Sequence, residues 1–113
     1  MILDDEQKEI LRRHLKYLLS RRAYPKTICP SEVARALDDE ELGKLDCYHW
    51  RDCMEDIRAL CWEMRAYGSV EILQKGEVVK AKAIDDIAGP IRVRYKKDVN
   101  RKEMIEGDFV EEY

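Results

Sequence analysis

Residues 48–67, YHWRDCMEDIRALCWEMRAY, decide how this chain folds. Their apolar members Trp50, Cys53, Met54, Ile57, Leu60, Cys61, Met64 and Tyr67 recur at steps of three and four. That spacing lays one stripe along an α-helix of about five turns. Arg51, Asp52, Glu55, Asp56, Arg58, Glu63 and Arg65 occupy the opposite face. No Gly or Pro interrupts the run, and Gly68 follows directly, a residue suited to the left-handed conformation that ends many helices. A helix this long and this one-sided must lie on something.

Working back toward the N-terminus, Ile10, Leu11, His14, Leu15, Leu18 and Leu19 repeat every four residues in pairs and predict a helix over 4–22. Asp4 and Asp5 suit its positive end, and Arg21 and Arg22 its negative end. Tyr24-Pro25 then breaks it. Residues 26–29 read as a brief extended segment. Residues 30–37, PSEVARAL, predict a second, short helix with Pro30 at its first position, Glu32 in its first turn and a buried side of Val33, Ala36 and Leu37. The acidic stretch DDEELGKLD after it reads as a solvated connection with room for one helical turn.

Forward from Gly68 the period changes to two. Val70 and Ile72 point one way, Glu71 and Leu73 the other, and Lys75-Gly76 has the character of a hairpin turn from which residues 77–80 return. After a loop at 81–90, residues 91–95, IRVRY, alternate with both arginines on one face. Three helices with the third longest, then a two- or three-stranded antiparallel ribbon, is the order of a winged helix in the α+β class. In that arrangement the ribbon pairs with the segment near Thr27-Ile28 and every apolar stripe is buried. The expected organisation is a winged-helix domain over 1–97 and an acidic C-terminal tail over 98–113, mobile or docked as a short helix.

At 113 residues the chain has room for one core, and a charged fraction of 40% implies a well-solvated surface. No apolar run is long enough to span a bilayer. The acidic N-terminus does not read as a signal peptide. Cys53 and Cys61 lie two helical turns apart, about 12 Å, too far for a disulfide. Together these features predict an intracellular protein, cytoplasmic or nuclear, with reduced cysteines. The net charge of −3 is unevenly spread: residues 1–69 carry −2, residues 70–97 carry +3, and residues 98–113 carry −4.

The blocks KTICPSEVARAL, WRDCMEDIRALCWEMRAYGSVEILQKGEVV and GPIRVRY resemble a family of small proteins catalogued as a domain of unknown function. The resemblance spans roughly residues 8–95. It implies a winged-helix-like fold and brings no activity, cofactor or catalytic residues. The chain departs from the family's pattern in its longer connection before the third helix and in its acidic tail.

Two roles are open to these residues. The first is binding of duplex DNA through the basic ribbon and an arginine stripe: Arg51, Arg58 and Arg65 recur every seven residues on the long helix, and Lys75, Lys80, Lys82, Arg92 and Arg94, continued by Lys96 and Lys97, lie on the ribbon. The N-terminal residues of that helix, which in a helix-turn-helix enter the major groove, include Asp52, Glu55 and Asp56 and would repel phosphate. The second role is a protein-interaction module without DNA binding, its acidic segments meeting a basic partner; the bland reading of the cations is plain solvation. A homodimer is an open alternative, and Trp62, about 120° around the helix from Trp50, fits either a core flank or a contact for a second subunit. Cys47, His49 and Cys53, with Cys29 to complete them, are the candidate metal ligands, but C-x-H-x3-C matches no common zinc spacing and Cys53 belongs to the apolar stripe, so no metal and no other cofactor is expected. Lacking a phosphate loop, a Ser-His-Asp set or paired carboxylates in a cleft, the chain is read as non-enzymatic.

Overall fold

The computed structural model describes residues 3–97; the acidic tail, with the expectation attached to it, lies outside that range. The elements in order are helices α1 (Asp5–Ser20), α2 (Pro30–Ala36) and α3 (Asp39–Lys44), a 3₁₀ turn at Trp50–Cys53 that leads into α4 (Met54–Ala66), strands β1 (Val70–Gln74) and β2 (Glu77–Val78), a 3₁₀ turn at Ile84–Asp86, and strand β3 (Arg92–Tyr95).

α1 and α3 begin where the sequence provides a cap. Gln7 N–H donates to Asp4 Oδ1 at 2.8 Å and Asp4 N–H donates to Gln7 Oε1 at 2.9 Å. That reciprocal box makes Asp4 the cap and Asp5 the first helical residue. The same box recurs between Asp38 and Glu41 at 2.8 and 3.0 Å. It turns the acidic stretch into a true helix, α3, whose acids satisfy backbone donors as well as water. α3 is tied to α1 where His14 Nε2 meets Glu41 Oε2 at 2.9 Å. On α2 the buried side is Val33, Ala34 and Leu37, while Ala36 is exposed.

The long helix is shorter than its apolar stripe suggested. Its first turn is 3₁₀, capped by Asp52, whose Oδ2 accepts from His49 N–H at 3.0 Å and Tyr48 N–H at 3.2 Å. Tyr48 therefore stands outside the helix, fully exposed, and Tyr67 at the other end is 79% exposed. Gly68, at φ 85°, closes α4: its N–H bonds Arg65 O at 3.0 Å and Ser69 N–H bonds Met64 O at 3.0 Å. Those two bonds are the Schellman pair.

The sheet has the order β2-β1-β3, antiparallel throughout. Lys75 and Gly76 both take positive φ, 51° and 82°, between the paired Gln74 and Glu77. A two-residue turn of that hand matches the twist of the strands. On the far edge, Ile28 pairs with Val93, Ile28 N–H bonding Val93 O at 2.8 Å and Val93 N–H bonding Ile28 O at 2.9 Å. The sheet's inner face, with Val70, Ile72, Val93 and Tyr95, closes over Leu11, Leu15 and Leu19 of α1 and Ile57, Leu60, Cys61 and Met64 of α4. The loop at 81–90, read from sequence only as a connection, also sends Ile87 into this core. The arrangement is winged-helix-like, with α3 added between α2 and α4.

Leu11 is fully buried, so Leu11→Ala should lower unfolding free energy by about 2–5 kcal/mol, read as a denaturant midpoint shift with an unchanged slope. Glu32 gives a pH signature. Partial burial works to raise its carboxyl, but the Cys29 N–H bond, the bond and charge of Arg22 and the charge of Arg92 outweigh it and leave it below the ordinary value. A depressed carboxyl stabilises the fold above its unfolded value of 4.5, and that contribution is lost as pH falls through the folded value. Glu32→Gln is expected to be less stable at neutral pH and to lose part of the wild-type acid sensitivity, measured by melting temperature against pH.

Candidate nucleic-acid interface

Of the eight cations singled out in the sequence, seven separate into three groups in space and Arg51 stands apart. Arg58 and Arg65 face the loop after β2. Arg58 Nη1 donates to Gly89 O at 2.9 Å and its Nη2 to Ile87 O at 3.3 Å. Arg65 Nη2 donates to Ala81 O at 2.9 Å and Val79 O at 3.3 Å, with its guanidinium 4.4 Å from the Trp62 ring centroid. A loop without regular pairing leaves carbonyls that need donors, and these two arginines supply them. Gln74 Nε2 adds a bond of 2.7 Å to Ala88 O. Arg51 sits apart at the start of the 3₁₀ turn, exposed, 4.7 Å from the Trp50 ring centroid; Arg35 approaches the same ring at 4.8 Å.

Lys75, Lys80 and Lys82 form the second group, all exposed. Glu77, Asp85 and Asp86, exposed on the same hairpin and loop, match them charge for charge. The wing by itself is therefore close to neutral. The start of α4 offers no more: Glu55 is exposed, and Asp56 is half-buried with its carboxyl pushed up by that burial.

The third group is Arg92 and Arg94, on the outer face of β3. Arg92 Nε donates to Thr27 Oγ1 at 2.9 Å. Arg94 Nε pairs with Glu71 Oε1 at 3.0 Å, its Nη1 reaches Pro25 O at 3.3 Å, and its guanidinium lies 4.6 Å from the Tyr24 ring centroid. Because Ile28 pairs with Val93, the turn at residues 22–26 is brought against the end of β3. Between them is a recess of about 250 Å³ whose lining among the described residues contains Arg22, Lys26, Arg94, Lys96 and Lys97 and no carboxylate. Arg22 is anchored by Thr27 O at 2.8 Å and by Glu32.

Arg22 and Lys26 do not stand out in the sequence, where Arg22 reads as a helix-terminal charge. The signal that could have placed them is the pairing of the 26–29 segment with the last strand, since any cation next to that segment must then neighbour Arg92 and Arg94. Lys75 stays at the far end of β1, about 17 Å along the strand from the recess at a rise near 3.4 Å per residue. Among the described residues no three His, Cys, Asp or Glu side chains are grouped to hold a metal ion. His49 Nδ1 instead accepts from Arg51 N–H at 3.2 Å.

These features define a winged-helix-like α+β domain with a cluster of cations at the end of its edge strand β3. The chain belongs to the family described as "Protein of unknown function (DUF3253)", whose model matches residues 8–96. No curated protein matches it.

Removing the Arg58 clamp tests its structural role. Arg58→Ala should cost about 1.5–3 kcal/mol for lost charged hydrogen bonds to the loop carbonyls. It should also speed hydrogen exchange at the Asp86 and Ile87 amides while leaving those of α1 protected.

Proposed function

We propose that this domain is a non-catalytic module that binds the phosphate backbone of duplex DNA through the outer face of its sheet. The observation that carries the reading is the recess at the end of β3, lined among the described residues by five cations, of which Arg22 and Arg94 are also paired with Glu32 and Glu71. Arg92 and Arg94 extend that positive charge along β3, and Lys75 stands beyond them at the hairpin turn. Glu71 is the acid paired across from Arg94 in the strand register. Lysines suit this task as mobile point charges, and an arginine already held by neighbours keeps its charge and loses little freedom on binding. The tyrosine ring under Arg94 gives the edge of the patch a flat apolar surface that a sugar or an exposed base can meet.

On this reading α4 does not read the major groove. Its leading acids oppose phosphate, and its two later arginines hold the wing in shape, so contact is through the backbone with little sequence preference. Affinity of that kind comes from counterion release.

With about four to five phosphates engaged, the logarithm of affinity for a duplex should fall against the logarithm of salt with a slope of about −4. Charge reversal at both Lys96 and Lys97 is expected to weaken binding at least about tenfold and to reduce that slope by about 2. Arg58→Ala and Arg51→Ala should leave the slope unchanged. Fluorescence anisotropy with the full chain reads all of these. No binding at low salt, or a slope carried by Lys80 and Lys82 with Lys96 and Lys97 silent, would overturn the assignment.

A further inference from the structure

We propose that Cys47 and Cys53 are a paired thiol site that a hydroperoxide oxidises to an intramolecular disulfide, Cys47 attacking and Cys53 resolving. The proposal stands on the two sulfurs and is independent of DNA binding. Cys53 S–H donates to Cys47 Sγ with the sulfurs 2.8 Å apart. A disulfide needs about 2.05 Å, so closure brings the two sulfurs about 0.8 Å closer together.

Local structure brings the two together. α3 ends with Asp46 in the left-handed region, at φ 58°, where Asp46 N–H bonds Gly43 O at 3.1 Å and Cys47 N–H bonds Leu42 O at 2.9 Å. This is a helix stop of the kind glycine usually makes, here with aspartate. It turns the chain so that Cys47 returns over the start of α4, where Cys53 ends the 3₁₀ turn.

The two sulfurs differ in access. Cys47 is half-buried and lines an open cleft of about 560 Å³ with Leu42, Asp46 and Tyr48; Cys53 is 1% exposed and does not line it. Burial first, then the hydrogen bond and charge of Cys47, push the Cys53 thiol up to about 12. Cys53 therefore keeps its proton and waits, and Cys47 is the sulfur that meets an oxidant. Cys61, also raised to about 12, is fully buried and away from that cleft.

The chemistry balances in two steps. The Cys47 thiolate attacks one oxygen of the hydroperoxide, the O–O bond breaks, and hydroxide or alkoxide leaves, giving a Cys47 sulfenic acid. Cys53 sulfur then attacks Cys47 sulfur, the S–O bond breaks, and the departing hydroxide takes the Cys53 proton as water. The dithiol loses two electrons and two protons, and the peroxide is reduced.

The test is a non-reducing peptide map of the full chain after one equivalent of hydrogen peroxide and alkylation. Arg51 lies between the two cysteines, so trypsin releases them on separate peptides that only a disulfide can hold together. The expected result is that linked pair, two hydrogens lighter than its parts and separated by dithiothreitol. Cys53→Ala should stop at a Cys47 sulfenic acid that dimedone traps. If both cysteines remain alkylatable, or if Cys47 links to Cys29 or to another chain, the proposal is overturned. The wild-type map stands even if a variant fails to fold.

Discussion

Two hydrogen bonds between the backbones of Ile28 and Val93, 2.8 and 2.9 Å long, join one end of the domain to the other. Each is worth only about 1 kcal/mol net, but the buried groups they satisfy would cost about 1–3 kcal/mol apiece if left unpaired. Ile28 and Val93 are both fully buried, so the pairing is enforced from two sides. Once it is made, β3 must lie between the N-terminal segment and β1, and the outer face of the sheet inherits side chains from both halves of the chain. Thr27 then meets Arg92, Pro25 and Tyr24 meet Arg94, and the recess forms where the two segments end.

The arginine stripe on α4 shows how the same residue type can answer two different needs. A guanidinium offers five donors in a rigid fork. Laid against duplex DNA, such forks hold phosphates; laid against a loop whose carbonyls lack partners, they hold the loop. Arg58 and Arg65 do the second, each reaching two carbonyls of the segment between β2 and β3. The wing therefore owes its path to α4 as much as to its own short strand, which pairs through only two residues of register. Arg94 is held differently, by Glu71 across the strand pair, yet its neighbours along the recess are cations.

The distribution of charge along the chain pointed to the ribbon as the positive region, and that is only half of the arrangement. The lysines of the wing are balanced by Glu77, Asp85 and Asp86 nearby. More cations gather at the strand's other end, where Lys96 and Lys97 are met by Lys26 and by Arg22, which is itself paired with Glu32. A linear net charge adds up neighbours along the chain, while a ligand meets neighbours in space. The paired cysteines make the same point, six residues apart and brought into contact by a left-handed aspartate that no pattern announces.

Local rules were enough for much of this protein. The apolar period of α1 and α4, the stop at Gly68, the two-residue turn at Lys75-Gly76 and the alternation of β1 and β3 all come from residue type and spacing, since each is settled by atoms within a few positions along the chain. The sequence order also implied the winged-helix-like plan and the pairing near Ile28, because few arrangements bury all the stripes at once. Tertiary contact alone decided that α3 docks through His14, that Ile87 is core, that Arg58 and Arg65 are clamps, and that Arg22 and Lys26 join Arg94, Lys96 and Lys97. Those outcomes rest on which surfaces meet across the fold, and charge or hydrogen-bonding capacity in one residue does not say which partner will arrive to use it.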